Sequence, residues 1–274
     1  MEELEHYNDI RAAGFLDWHP SKREMLITTR FGDVPQIHHV AMPGGARTQL
    51  TFFPDRTASA RYHPRGGDVF VFSKDTGGGE FYQLYQFDIG SGAITLLTDG
   101  HSRNTGALWS EDGQLLAYCS TLRNGRDTDV YVMNPDDPKS GRLVLEVEGG
   151  GWFPDAWSRD RKKLVVQDRR SVHDSSLYLV DVQSGAKQLL TPEAASYSNA
   201  KFAKDGKGLY LATDRGSEFE RISYLDLRTR ELTFLRPGQK WDAADLQLAE
   251  DGRRLAYVLN EDGFFHAARD RHRH

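Results

Sequence analysis

The chain has 274 residues, of which 38% are hydrophobic and 11% aromatic, so it can bury a large core and disorder is not expected. A formal net charge of −5 and a pI near 6.1 give no global basic field for nucleic acid. No apolar run is long enough to cross a membrane, and the acidic N-terminus lacks the features of a signal peptide, so we predict a cytoplasmic location. The only cysteine, Cys119, excludes an internal disulfide and is expected to be a buried structural thiol.

One pattern recurs six times along the chain. In its clearest copy, residues 108–120, an aromatic residue ends a short strand, a polar turn with Asp112-Gly113 follows, and an apolar strand leaves the turn. Asp-Gly between two such runs predicts a β-hairpin, because the tight turn needs positive φ. The residues that end the first strand of each copy are spaced by 44, 47, 48, 45 and 46 residues: Trp18, Tyr62, Trp109, Trp157, Phe202 and Leu248. We expect the four aromatic anchors among residues 18–157 to pack between repeats.

Each copy continues with further strands. Third strands are predicted at 36–40, 83–88, 129–133, 177–181 and 222–226, and fourth strands at 49–51, 96–98, 189–191 and 234–236. Four strands in about 45 residues is typical of a β-propeller blade, in which neighbouring sheets bury each other's faces. Ankyrin, tetratricopeptide and HEAT repeats need helices that this sequence does not favour, and the glycine pairs of kelch or the Trp-Asp pairs of WD40 do not recur at one phase. We therefore predict an all-β propeller of six four-stranded repeats.

The predicted propeller is one domain covering residues 14–265. Its repeats lie at about 14–56, 57–102, 103–150, 151–196, 197–240 and 241–265. The sixth repeat ends without a fourth strand, and residues 266–274, rich in Arg and His, are predicted to be a solvated basic tail that binds no metal. Residues 1–13 are an N-terminal segment and a candidate closing strand, so the last blade is predicted to be either incomplete or closed by that segment.

The repeat resembles the PD40 propeller repeats shared by the TolB family and by the N-terminal domains of prolyl oligopeptidase-type (S9) serine peptidases. Roughly residues 7–263 carry the resemblance. The stretches that point to the peptidases are Trp18-His19-Pro20, Arg30-Phe31-Gly32-Asp33, Leu50-Thr51-Phe52-Phe53, Phe72-Ser73-Lys74-Asp75, residues 77–83 and residues 213–219. In that family an α/β-hydrolase domain follows the propeller and performs the chemistry.

The chain departs from the family at the catalytic motif. It contains no Gly-x-Ser-x-Gly nucleophile elbow, because Gly90-Ser91-Gly92 has neither the spacing nor a strand-to-helix context. The resemblance thus implies a non-catalytic propeller that gates access and orients peptides, inactive as a peptidase alone, with peptides, a protein partner or a hydrolase domain outside this chain as its partners. The alternative is a stand-alone TolB-like scaffold that binds a protein. A third possibility is a propeller hydrolase with a central Ca²⁺, for which Asp155, Asn199 and Asp245 are available; no cofactor is predicted in the first two cases.

The loops that follow the second strands carry charged residues at similar positions of the repeat. In a propeller these loops share one face, so the charges are predicted to ring one mouth of the central channel, either as salt bridges between blades or as a collar for peptide termini. The cations are Arg30, Lys74, Arg123, Arg169 and Arg215, and the acids are Asp33, Asp75, Asp127, Asp174 and Asp214.

Two of these loops share the sequence Glu-Phe, at Glu80-Phe81 and Glu218-Phe219. The glutamates could hold a peptide's ammonium while the phenylalanines pack an apolar side chain; equally, the phenylalanines could begin the third strand and enter the core. The predicted peptide-binding residues are Arg30, Glu80, Phe81, Arg123, Arg215, Glu218 and Phe219.

Overall fold

The fold is an all-β propeller of six sheets. The computed structural model describes residues 12–271, with the side chain of Arg271 excluded, and these residues form 23 strands. Each sheet consists of strands that are consecutive in the chain, which is how a repeat of about 45 residues folds into a blade. The predicted fold class is confirmed. The described part of the chain contains no helix long and apolar enough to span a membrane.

Strands are numbered in chain order. Blade 1 contains β1 (Gly14–Trp18), β2 (Met25–Thr29), β3 (Gln36–Val40) and β4 (Arg47–Gln49). Blade 2 contains β5 (Thr57–Tyr62), β6 (Val69–Lys74), β7 (Gln83–Asp88) and β8 (Ile94–Leu96). Blade 3 contains β9 (Asn104–Trp109), β10 (Leu116–Ser120), β11 (Asp129–Asn134) and β12 (Asp137–Leu145). Blade 4 contains β13 (Trp152–Trp157), β14 (Lys163–Arg169), β15 (Ser175–Asp181) and β16 (Lys187–Leu189). Blade 5 contains β17 (Tyr197–Phe202), β18 (Gly208–Thr213), β19 (Arg221–Asp226) and β20 (Leu232–Phe234). Blade 6 contains β21 (Asp242–Leu248), β22 (Arg254–Glu261) and β23 (Phe264–Arg271).

Blade 6 corrects one prediction. The third strand, β23, is present and runs through residue 271, so the tail expected from residue 266 does not begin there. A tight turn at Asp262-Gly263, with both residues at positive φ, lets β22 continue directly into β23 over eight paired positions. Within residues 12–271 this sheet has three strands. The candidate closing strand falls largely on residues 1–11, which lie outside the described residues.

The fourth strands end two residues earlier than predicted. In blades 1, 2 and 4 a Leu-Thr pair follows the last strand residue, and the leucine amide still donates to the third strand, as Leu190 N does to Leu177 O at 2.7 Å. The next residue replaces a backbone acceptor with its side chain: Thr191 Oγ1 accepts the amide of Leu177 at 2.9 Å. Thr51 and Thr98 do the same for Ile37 and Leu84. The alternation of residues continues through the Leu-Thr pair, but the threonine bonds through its side chain and is no longer part of the backbone hydrogen-bond ladder.

The strands group into two compact units. Unit 1 comprises residues up to Leu116 together with Ser120–Gly125 and Met133–Gly141. Unit 2 comprises Ala117–Cys119, Arg126–Val132 and residues from Arg142 onward. Blades 1 and 2 therefore belong to unit 1 and blades 4 to 6 to unit 2, while blade 3 contributes to both.

Each unit has apolar cores between consecutive blades. In unit 1, Leu26 and Ile37 of blade 1 pack with Tyr62, Phe70 and Phe72 of blade 2. In unit 2, one cluster joins blades 4 and 5 and a second joins blades 5 and 6; their largest buried side chains are Tyr197 in the first and Tyr210 and Tyr257 in the second. Alternating side chains thus bury both faces of a sheet.

The anchor aromatics do not all lie in the core. Tyr62 and Trp157 are buried as expected and Trp109 is half-buried, but Trp18 is 54% exposed, so the prediction for Trp18 is wrong. Tyr62 and Trp109 are each covered by a histidine ring from the preceding repeat. The ring of Trp18, by contrast, contacts the ring of Phe15, which is itself exposed.

Candidate functional site

In each blade that carries them, the predicted peptide-binding residues lie in the loop between the second and third strands. In unit 1, the Lys74 ammonium is buried rather than solvated. Its Nζ donates to the backbone oxygen of Asp75 at 3.0 Å, lies 3.8 Å from the Asp55 carboxylate and sits 5.1 Å above the Phe53 ring. Asp75 is buried and accepts the amide of Glu80 at 3.0 Å. These two charged residues therefore hold the conformation of their own loop.

The other predicted residues of unit 1 remain at the surface. Glu80 adopts φ of 60°, and its carboxylate lies 3.9 Å from the Arg103 guanidinium. Phe81 is 56% exposed and does not enter the core. Arg30 is half-buried and makes no hydrogen bond or ion pair with residues 12–271, whereas Arg123 is exposed and has interactions of its own.

In unit 2, the strongest charge cluster centres on an arginine that sequence analysis missed. Arg170 donates to both oxygens of Asp174, at 2.7 and 2.8 Å, to Asp168 at 2.6 Å and to Ser176 at 3.0 Å. The hydrogen bonds from Arg170 lower the pKa of the Asp174 carboxyl. Arg169, which the repeat phase had selected, is exposed. The missed signal is an arginine with acids two residues before and four residues after it.

Three more predicted charges of unit 2 are also engaged internally. Arg215 makes a bidentate ion pair with the Glu193 carboxylate, so its guanidinium is already occupied by an internal partner. Asp214 accepts the amide of Ser196 at 2.7 Å, and Asp127 is buried and accepts the amide of Gly149 at 2.8 Å. Charges in these loops therefore mostly brace neighbouring loops.

Glu218 and Phe219 differ from their counterparts in unit 1. Glu218 is exposed and its carboxylate has no hydrogen bond or ion pair within the described chain. Phe219 is half-buried against Trp241, with ring centroids 6.2 Å apart. The backbone beside them is fixed, because Ser217 N donates to Asp214 O at 2.8 Å and Glu220 N to Asp242 Oδ1 at 2.8 Å. The backbone of Glu218 is thus fixed one residue before the Phe219–Trp241 pair, and Trp241 is a residue that sequence analysis did not select.

The same end of the sheets carries an apolar feature that sequence analysis also missed. In blades 1 to 4 the connection between second and third strands exposes a large apolar side chain, and in blade 6 the first residue of the third strand does so; in blade 5 the corresponding residue is the half-buried Phe219. The exposed side chains are Phe31 (49%), Phe81 (56%) and Leu122 (50%) in unit 1, and Val172 (65%) and Phe264 (71%) in unit 2. We call these five residues the apolar loop set. Comparing the loops at equal repeat phase would have revealed it.

The residues considered for Ca²⁺ lie at irregularities of first strands. Asp155, in β13, sits at a bulge, and its Oδ2 accepts the amide of Ala200 at 2.9 Å. Burial raises the pKa of the Asp155 carboxyl, although Lys201 and the Ala200 amide oppose this. Asn199 and Asp245 both adopt positive φ, at 56° and 52°, beside bulges in β17 and β21. Among the described residues no group of three His, Cys, Asp or Glu side chains could hold a metal ion.

Comparison with known proteins relates the chain to peptidases and to TolB. No protein-family model matches it. It is 24% identical to the uncharacterized peptidase YuxL of Bacillus subtilis over 187 residues, covering 65% of this chain and 25% of that protein. It is also 24% identical to dipeptidyl-peptidase 5 of Porphyromonas gingivalis over 168 residues, covering 56% and 24%. The chain spans about a quarter of the length of these curated relatives.

Solved structures agree on the fold. A prolyl endopeptidase structure superposes with a TM-score of 0.69 at 16% identity, covering 90% of this chain and 39% of that one. The chain is a β-propeller of the kind found in prolyl endopeptidase and TolB. A putative TolB from Agrobacterium tumefaciens gives 0.60 at 16% identity, covering 78% and 73%, and an oligogalacturonate lyase in complex with manganese gives 0.69 at 13%, covering 92% and 77%. The resemblance stated from the repeat is confirmed at the level of fold.

Proposed function

We propose that the chain is the non-catalytic propeller of a prolyl oligopeptidase-type serine peptidase, located in the cytoplasm, which restricts access to a hydrolase domain and orients peptides. The weak similarity to two peptidases supports the family. The observation that carries the proposal is the apolar loop set, one exposed side chain at the same end of each of five sheets.

An apolar residue repeated at one end of successive blades has a physical consequence. Single exposed apolar side chains are common on soluble proteins, but Phe31, Phe81 and Leu122, at the same end of three consecutive blades in unit 1, favour a surface that another domain covers. Burial of one such phenylalanine contributes roughly 2 kcal/mol, so several of them together would hold a docked domain. The propeller end that docks a hydrolase domain would also be the end through which peptides are admitted.

The Glu218 loop supplies the peptide-orienting part of the proposal. Glu218 has no ionic partner in residues 12–271 and directly precedes Phe219 of the Phe219–Trp241 pair, which suits a peptide whose ammonium pairs with the acid while its first side chain packs on the rings. Glu80 is the matched comparison, because the same Glu-Phe sequence there lies beside Arg103. The engaged Arg215 offers little to a peptide carboxylate.

Calorimetric titration of the chain with a short peptide bearing a free amino group and an apolar first residue tests this site. Glu218→Gln is expected to weaken binding about tenfold and Glu80→Gln less than about twofold, since only the first removes an unopposed charge. Acetylating the peptide should have the same effect as Glu218→Gln. Equal binding of free and acetylated peptides would refute the orienting role.

The docking part of the proposal is tested separately. The nucleotide sequence beyond the codon for His274, read in all three frames, should encode an α/β-hydrolase region with Gly-x-Ser-x-Gly; an unrelated gene there would refute the peptidase assignment.

Sedimentation of the isolated chain should show self-association that Phe81→Ser together with Phe264→Ser abolishes. Met42→Ser, at an exposed turn between the third and fourth strands of blade 1, is the control and should leave association unchanged.

A stand-alone TolB-like scaffold is the second candidate. The observation that favours it is the structural likeness to a putative TolB, with a TM-score of 0.60. A scaffold should be monodisperse in the sedimentation experiment and should show no preference for a free peptide ammonium.

A further inference from the structure

The first turn of blades 1 and 2 contains a histidine that caps the turn. The sequence is His19-Pro20 in blade 1 and His63-Pro64 in blade 2, where the later blades have serine or alanine before the turn. His19 Nδ1 accepts the amides of Ser21 and Lys22, each at 3.2 Å. His63 Nδ1 accepts the amides two and three residues on, Arg65 at 3.3 Å and Gly66 at 3.1 Å. An imidazole nitrogen accepts a hydrogen bond only through its lone pair, so this geometry requires a neutral ring with the proton on Nε2.

Each ring also contacts the next blade. The His19 ring lies edge-on to Tyr62, with centroids 5.1 Å apart, and against Gly67 in the first turn of blade 2. A Cβ added at Gly67 would fall less than 3.0 Å from three ring atoms, so the ring occupies the space that a side chain there would need. The His19 side chain therefore holds the first turn of blade 1 and also fills the surface of the first turn of blade 2.

His63 repeats this arrangement towards blade 3. Its ring lies 5.2 Å from Trp109, centroid to centroid, and a Cβ at Gly113 would again fall less than 3.0 Å from the ring. All of these residues belong to unit 1. In blades 3 and 4 a serine hydroxyl serves the turn instead: Ser110 Oγ accepts Leu115 N at 3.0 Å, and Ser158 Oγ accepts Lys163 N at 2.9 Å. A serine hydroxyl does not change its protonation state between neutral and mildly acidic pH.

Protonation would break the histidine caps. An imidazolium has no lone pair at Nδ1, so two backbone N–H groups would lose their acceptor and face a donor. Around His19, Lys22 and His39 disfavour the charged ring while Glu24 and Asp68 favour it; burial is the largest influence and lowers the pKa of His19. His63 adjoins Arg65, whose amide it accepts and whose guanidinium pairs with Glu111 at 3.2 Å.

We propose that His19 and His63 are acid-sensitive latches that join blade 1 to blade 2 and blade 2 to blade 3 in unit 1. While each ring is neutral, its latch is closed. Once a ring takes up a proton, the turn and its contact with the next blade open locally, while the serine-capped turns stay closed. Acidification therefore loosens one part of the propeller before the rest unfolds.

Amide hydrogen exchange followed by NMR tests the latches in the unmodified chain. Protection factors at Ser21, Lys22, Arg65 and Gly66 should fall about tenfold per pH unit once the rings begin to take up protons, because one proton is linked to each opening. Those at Leu115 and Lys163, held by serine hydroxyls, should not change over the same interval. Unchanged protection at the four histidine-held amides down to the onset of global acid unfolding, or a parallel loss at Leu115 and Lys163, would overturn the proposal.

Nitrogen chemical shifts and a variant pair give two further readouts. The imidazole nitrogens of His19 and His63 should report the Nε2–H form at neutral pH, and observation of the Nδ1–H form would refute the caps. An asparagine side chain at either position could still accept the amides without titrating, so His19→Asn with His63→Asn should show protection that no longer depends on pH. His101→Asn, at an exposed histidine, is the control and should keep the pH dependence of the unmodified chain.

Discussion

Replacing Gly113 by alanine is expected to destabilise the chain more than the same replacement at Gly206. The two glycines occupy the same position of the first turn, in blades 3 and 5, with φ of 77° and 70°. Each donates its amide to the residue three positions earlier, at 2.9 and 2.8 Å. They differ in surroundings: a Cβ at Gly113 meets the His63 ring, whereas nothing lies within 4 Å of a Cβ at Gly206.

The magnitude follows from two separable costs. A left-handed backbone conformation costs a non-glycine residue roughly 1–2 kcal/mol, and this applies at both positions. Overpacking adds roughly 1–3 kcal/mol at Gly113 only, because the ring must leave its place between Trp109 and the turn. Gly206→Ala should thus lower the free energy of unfolding by about 1–2 kcal/mol and Gly113→Ala by about 2–5 kcal/mol.

Urea unfolding followed by tryptophan fluorescence and by far-ultraviolet circular dichroism measures both changes. Coincidence of the two curves checks that one free energy describes the transition, a necessary check in a chain with two compact units. His63→Ala combined with Gly113→Ala should be less destabilising than the sum of the single changes, since removing the ring relieves the clash. Equal losses at Gly113 and Gly206, or strict additivity with His63→Ala, would refute the argument.

Three other expectations follow from buried groups. Thr191→Val preserves shape but leaves the amide of Leu177 without its acceptor, so it should lower the free energy of unfolding in urea by about 1–3 kcal/mol, and no loss would mean that another group replaces the hydroxyl. Burial raises the pKa of Cys119, whose thiol donates to Trp152 O at 3.0 Å, so the native chain should not react with a thiol reagent and the urea-unfolded chain should; a fast native reaction would contradict this. Because the pKa of Asp155 is raised in the folded state, the free energy of unfolding should fall as pH rises from 3.8 through that raised value, and Asp155→Asn should abolish the fall; an identical pH profile in the variant would refute the assignment.

Much of the fold could be predicted because its signals are local. The third strands of blades 1 and 2 begin and end where the pattern placed them, at Gln36–Val40 and Gln83–Asp88. Alternation of apolar residues and a glycine at positive φ act within a few neighbouring residues, so one sequence suffices to find them. The fourth strands failed because Leu50-Thr51 alternates like a strand while Thr51 bonds through its hydroxyl.

The candidate site was predicted less well because partners distant in sequence decide the state of each charge. Lys74, Arg30 and Arg215 occupy the same position of the repeat, so the sequence does not distinguish them. In the structure Lys74 is buried near Asp55 and Arg215 forms an ion pair with Glu193. Arg30 has no ionic partner in residues 12–271. Similarly, Glu80 and Glu218 share a local sequence but only Glu80 has an arginine nearby. These pairings join loops about 20 residues apart.

The sequence alone determined the number of repeats, the all-β class, most strand positions and the location of the turns, because each depends on the period-2 pattern and on the φ preferences of glycine and asparagine or aspartate. The tertiary structure decided which charges are free, which anchor is exposed and which apolar side chains are left in water. Those properties depend on what a neighbouring loop or blade places opposite a residue, and packing between blades is not encoded in the spacing of either one.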